Sequence, residues 1–132
     1  MKCLSLKQPW AELVVNGRKT IEIRKWNTKF RGDFIVHASK IPNAEAMTRL
    51  GFESLPVGCI VGKAKIVRVK MYSSIEEFEG DGDKHFAKCY DWNKKGKLYG
   101  FILENAQRLH KIPLKGQLNF FDVNDNLSRS CI

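Results

Sequence analysis

From Cys59 to Met71 the chain alternates apolar and charged residues over a length that reads as one long β-strand. Ile60, Val61, Ala64, Ile66, Val67 and Val69 are apolar, and Lys63, Lys65, Arg68 and Lys70 decorate the run. The alternation slips between Lys65 and Arg68. One extra residue there exchanges the two faces, so a bulge or strong bend is expected. Shorter alternating runs at Lys2–Leu6, Thr20–Lys25, Phe34–Ser39, Tyr99–Leu109 and Leu118–Val123 read as further strands.

Two helices are expected among them. Gln8-Pro9-Trp10 opens the first, because proline is tolerated in a first turn where its missing N–H costs nothing. Trp10, Leu13 and Val14 share one face, and Asn16-Gly17 ends the helix. Pro42 to Leu50 forms the second, ended by Gly51. Turns are expected at Leu55–Gly58, Asn93–Gly96 and Leu114–Gln117. With no repeat and no low-complexity linker, a single domain over residues 1–125 with a flexible tail over 126–132 is expected.

Gly17-Arg18-Lys19-Thr20-Ile21-Glu22-Ile23-Arg24 joins the first helix to the next strand. In an extended chain Thr20, Glu22 and Arg24 share one face, while Ile21 and Ile23 point into a core. A carboxylate and a guanidinium then stand side by side with Lys19 at the strand mouth. The plain alternative is a salt bridge on a solvated strand face, worth ~0 to 1 kcal/mol.

The 132 residues carry a net charge of +9, and it is unevenly spread. Residues 1–72 hold 14 Lys/Arg against 5 Asp/Glu, whereas residues 73–132 hold 9 of each. The excess therefore surrounds the Lys19–Arg24 stretch, a field suited to a polyanion such as RNA or DNA. No apolar run approaches the roughly 20 residues of a membrane span, and no signal-peptide pattern opens the chain. A cytoplasmic location, or a nuclear one, is expected, with no membrane partner. Cys3, Cys59, Cys89 and Cys131 form no Cys-x-x-Cys pair and stand apart from His37, His85 and His110. They read as reduced thiols, and neither a metal site nor a cofactor is expected.

Trp26 to Gly32 is a basic loop in which Lys25, Lys29 and Arg31 could meet phosphates and Trp26 or Phe30 could stack on a base. Trp26 could equally anchor the loop to the core. His37 faces away from Phe34, Val36 and Ala38 and is a candidate ligand contact, although a lone strand histidine is often only hydrogen-bonded. Ser73 to Asp83 is acidic, with Ser73 or Ser74 as a helix cap; its spacing matches no calcium loop and reads as a solvated insertion or an interaction surface.

Taken in order, these motifs resemble the activating-signal-cointegrator homology (ASCH) domain, a branch of the PUA-like superfamily. The resemblance is carried by Leu4-Ser5-Leu6-Lys7-Gln8-Pro9-Trp10-Ala11, by Gly17-x-Lys19-x-x-Glu22-x-Arg24 and by Trp26-x-Thr28-x-x-Arg31-Gly32. Leu55-Pro56-x-Gly58-Cys59-Ile60-Val61-Gly62 and the closing Tyr99-Gly100-Phe101-Ile102-Leu103-x-Asn105, Leu109 and Ile112-Pro113-x-x-Gly116-Gln117 extend it. It implies an α+β fold: a small PUA-like β-barrel of about six mixed strands with short helices covering its ends. It also implies a ligand cleft between the helix at Pro9, the signature and the loop before Phe34.

The leading reading is a nucleic-acid-binding module, RNA before DNA, with a nucleoside-sized ligand as another possible occupant; the sequence sets no oligomeric state. Lys19 and Arg24 would meet phosphate or a base carbonyl, and Glu22 would orient Arg24 or accept from a base amino group. Trp10 or Trp26 would stack, and Lys7, Lys25, Lys29 and Arg31 would extend the basic track. Some relatives of this fold resemble small amidohydrolases of N4-acylated cytidine that use a Lys/Thr/Glu set. The lysine falls on Lys19, but the threonine nucleophile falls on Glu22, which would have to act as a base for water, with an acid near Glu76 to Glu79. A ribonuclease using Lys19, Glu22 and Arg24 is the other enzymatic reading.

Overall fold

The structure, a computed structural model, describes residues 1–88 and 97–124. The turn expected at Asn93–Gly96, the tail over 126–132, Cys89 and Cys131 lie outside the described residues. Among the described residues, six strands and four short helices follow in the order β1 (Lys2–Leu6), α1 (Trp10–Val15), β2 (Ile21–Arg24), β3 (Gly32–Ala38), α2 (Ala44–Arg49), β4 (Cys59–Tyr72), α3 (Ile75–Gly80), α4 (Gly82–His85), β5 (Leu98–Pro113) and β6 (Phe120–Asp122).

All six strands join one mixed sheet in the order β2-β5-β4-β3-β1-β6. β1 runs parallel to β3, and the remaining pairings are antiparallel. The long β4–β5 ladder shifts register three times, between Ile60 and Gly62, between Lys63 and Lys65, and between Ile66 and Arg68. The last shift coincides with the slip in the alternation. Each shift adds twist, so the sheet curls around its own apolar face.

The curl stops short of the closed barrel implied by the resemblance. β2 and β6 end the strand order and are not paired with each other. Each pairs along one edge, β2 on β5 and β6 on β1, and the outer edges make no ladder with one another. Side chains span the opening instead. Trp26, just past β2, packs edge-on against Phe120 of β6 at 5.8 Å and against Phe101 of β5 at 5.3 Å.

The core inside the curl is built from Leu4, Leu6, Phe34, Val36, Ala64, Ile66, Phe101 and Leu103, closed by Ala11, Val14 and Val15 of α1. Helix α1 needs no hydroxyl cap. The buried Gln8 accepts from the Glu12 amide at 2.9 Å and donates to the Pro56 carbonyl at 2.9 Å, tying the helix start to the loop before β4. Gly17 leaves the helix with φ +84°, the left-handed conformation a glycine supplies without strain. That turn aims Lys19 back beneath α1, where its amide donates to Leu13 at 2.8 Å.

Candidate functional site

The Lys19–Arg24 stretch is buried, and the solvated strand face is not what forms. Lys19 and Glu22 are 3% and 6% exposed, because α4 and the residues after it cover this side of β2. The Lys19 ammonium donates to the carbonyls of Ile21 and His85, both at 2.7 Å, and lies 3.4 Å from Oε1 of Glu22. Its three N–H bonds therefore have three acceptors. Burial pushes the Lys19 pKa below its ordinary value, and the Glu22 carboxylate opposes that shift.

Arg24 completes the cluster. Its Nε and Nη2 approach Oε2 of Glu22 at 2.9 and 2.8 Å, and Nη2 also donates to the Ser5 carbonyl at 2.9 Å. Two cations thus share one carboxylate, leaving a net positive charge at the edge of the sheet. The guanidinium carbon lies 5.9 Å from the Trp26 ring centre, and the Trp10 ring carries Lys19 Nζ at 5.5 Å and Arg49 at 5.9 Å.

His37 is also buried, at 1%. Its Nε2 donates to the Leu114 carbonyl at 2.6 Å, since that oxygen can only accept. In the neutral ring Nδ1 is left to accept the Ser5 hydroxyl at 2.8 Å. The ring therefore clips the segment after β5 onto β1 and β3. Gly116 packs directly over this clip. A Cβ there would lie 2.6 Å from Ser5 Oγ and 2.8 Å from His37 Cε1.

These groups frame a cleft of about 830 Å³, inside the ~300–1,000 Å³ range of small-molecule pockets. Of the residues expected at a site, Lys7, Trp10, Glu22, Arg24, Lys25, Trp26 and His37 line it. Lys19 does not; it borders an adjoining cavity of about 320 Å³. Lys29 and Arg31 line neither. Arg31 braces its own loop by donating to the Thr28 and Phe30 carbonyls, both at 2.9 Å.

Other residues reach the cleft without having been expected there. Ser5, Ser39, Lys40, Phe78, Lys88 and residues 116–119 are among them, with Ile23, Ala87 and Leu98. Ser39 follows His37 at strand spacing and so shares its face. Gly116 and Gln117 stand in the sequence as a turn and as the end of the closing family motif, and Lys88 carries no spacing signal. In the acidic segment Glu76, Glu77 and Glu79 are exposed and border neither cavity; Phe78 between them does. Asp81 is buried, accepting from Lys70 at 2.8 Å and from the Tyr72 hydroxyl at 2.7 Å. Burial raises its pKa, but these donors outweigh that and hold it below its ordinary value. Among the described residues no group of three or more His, Cys, Asp or Glu side chains could hold a metal ion, and no helix is long and apolar enough to cross a membrane.

Comparison with known proteins gives a consistent result. A family model described as the ASCH domain matches residues 4–113. Activating signal cointegrator 1 from Mus musculus and from Homo sapiens are each 25% identical over 140 residues, covering 95% of this chain. The chain spans only 22% of the length of these relatives. The crystal structure of ASCH from Zymomonas mobilis superposes with a TM-score of 0.71 at 15% identity, covering 98% of this chain and 91% of that one. That likeness is one of fold.

Proposed function

We propose, from the premise that this chain belongs to the ASCH domain family, that it is a nucleic-acid-binding module whose larger cleft takes an unpaired nucleotide of an RNA strand. One observation carries this reading. Among the described residues, five cationic side chains (Lys7, Arg24, Lys25, Lys40 and Lys88) line a cleft in which Glu22 is the single carboxylate, beside the indoles of Trp10 and Trp26. Cations around aromatic walls are the combination that binds a phosphate backbone while stacking a base.

Each residue has a distinct part. Lys7, Lys25, Lys40 and Lys88 attract and position phosphates, which gives affinity without sequence information. Trp10 and Trp26 offer stacking faces. Arg24, held flat against Glu22, presents its remaining donors to a base carbonyl or a phosphate oxygen. Lys19 acts through Glu22, because its own donors are occupied inside the protein. His37 shapes the floor by holding the segment from Leu114 onward. A double helix keeps its bases stacked away from such a cleft, so single-stranded regions are favoured.

The reading is tested by titrating a fluorescein-labelled single-stranded RNA, its DNA counterpart and an RNA duplex against the protein. Binding in the order single-stranded RNA, DNA, duplex supports it. Preference for duplex contradicts the cleft as the binding place.

A further inference from the structure

The smaller cavity shares Trp10, Glu22 and Lys88 with the main cleft, so the two are compartments of one groove. Its far side is formed by α2. There Arg49 lies over the Trp10 ring and donates through Nε to Oε2 of Glu45 at 3.0 Å. The Lys88 ammonium stands 3.3 Å from the same oxygen. Arg49 also donates through Nη2 to the Phe86 carbonyl at 3.3 Å, which fixes the guanidinium in place from its other end.

One carboxylate oxygen thus bridges two cations that come from different parts of the chain. A phosphate oxygen is met in the same manner, with an arginine fork and a lysine on one anionic atom. The bridging carboxylate is half exposed, so turning it out into water costs little. Arg49, by contrast, keeps the Trp10 ring and the Phe86 carbonyl as partners when Glu45 turns away.

We propose that this smaller cavity is a phosphate subsite, and that Glu45 occupies Arg49 and Lys88 as an internal counter-anion until a phosphate of the bound strand displaces it. The inference rests on the nucleic-acid reading and deepens it. The ligand becomes a strand long enough to set a base in the larger compartment and a further phosphate in the smaller one. Its affinity is held down by an acidic residue of the protein itself.

The test measures affinity for a short fluorescein-labelled single-stranded RNA across Glu45→Gln, Arg49→Gln, the double variant, and Glu53→Gln. Glu53 is an exposed carboxylate that borders neither cavity and serves as the control for net charge. Glu45→Gln is expected to tighten binding by roughly two- to fivefold, the equilibrium worth of one exposed ion pair. Glu53→Gln should leave affinity unchanged. Arg49→Gln should weaken it, and in that background the gain from Glu45→Gln should shrink, with only Lys88 left for Glu45 to occupy, which is the signature of direct coupling. Melting curves confirm that each variant is folded; if Arg49→Gln is not, Lys88→Gln takes its place. A Glu45→Gln gain that is absent, matched by Glu53→Gln or undiminished in the second background overturns the subsite while RNA binding stands. No RNA binding by the unaltered protein overturns both readings.

Discussion

The Arg24 guanidinium is bonded at once to Glu22 and to the backbone of Ser5, with its Nη2 2.8 Å from the carboxylate and 2.9 Å from the carbonyl. One side chain therefore crosses the open side of the sheet, from edge strand β2 to β1, where no backbone ladder closes it. The charge cluster is both the seam of the fold and one wall of the cleft. Stability and binding should respond together when it is disturbed.

Removing the carboxylate exposes the first consequence. Glu22→Ala leaves Lys19 buried without its counter-ion, a loss of about 3 kcal/mol by the usual cost of breaking a buried pair. Lys19→Met strands two carbonyls but leaves Glu22 with Arg24, and should cost about 2 kcal/mol. The double variant should lose less than the sum, since neither charge is left alone. Urea unfolding reads all three, and strict additivity would refute the pairing.

Binding should separate the lysines that line the cleft from the cations that do not. Lys25→Ala, Lys40→Ala and Lys88→Ala should each weaken RNA binding and reduce the slope of log affinity against log salt by about 0.7, the single-strand value for one phosphate contact. Lys29→Ala and Arg31→Ala should change it less, since both lie outside the cavities. An equal effect at all five positions would mean that diffuse charge, and not the cleft, governs binding.

The sequence carried the strand pattern further than it carried the site. The slip between Lys65 and Arg68 announced one of the three register shifts in β4. The other two, between Ile60 and Gly62 and between Lys63 and Lys65, leave no slip in the alternation. β5 runs to Pro113 although its second half is polar, since the residues around Arg108 and Ile112 pair with Ile60 and Gly62. Lys19, Glu22 and Arg24 were identifiable as neighbours from their spacing alone. Their burial was not, because the group that covers Lys19 is the carbonyl of His85, 66 residues further on. Local alternation fixes which side chains share a face and says nothing of what later folds over it. The family motifs indicated a barrel, whereas β2 and β6 end the strand order unpaired with each other and the sheet stays open.

The same His85 makes the cluster sensitive to acid. Its Nε2 donates to the Phe78 carbonyl at 2.8 Å and its Nδ1 accepts the Ala87 amide at 2.9 Å, so the neutral ring is fully used. Burial lowers its pKa below 6.5 and the Lys19 charge adds to that, against the Phe78 bond and the charges of Asp81 and Asp83, which raise it. The unfolded chain then binds the proton first as pH falls. The contribution of His85 is complete above 6.5 and declines as pH drops from there through the lower folded value. The melting temperature should fall over this range before Asp81, whose folded value lies below 3.8, begins to contribute. A His85→Gln variant should show a flatter profile, and an unchanged slope would contradict this assignment.

Gly116 offers a test of the cleft floor. Gly116→Ala places a methyl against Ser5 and His37, so the segment that ends the cleft must move outward. Overpacking of this kind costs about 1–3 kcal/mol. It should weaken RNA binding more than its effect on the melting temperature accounts for. Unaltered affinity would show that residues 116–119 take no part in binding.

Binding of single-stranded RNA in the larger cleft is read by fluorescence anisotropy on Lys25→Ala beside the unaltered protein at two salt concentrations. The unaltered protein should bind intact RNA in a salt-sensitive manner, with weaker binding and a shallower salt slope for the variant. Absence of binding at both salt concentrations, or a slope and affinity identical in the two proteins, would contradict it.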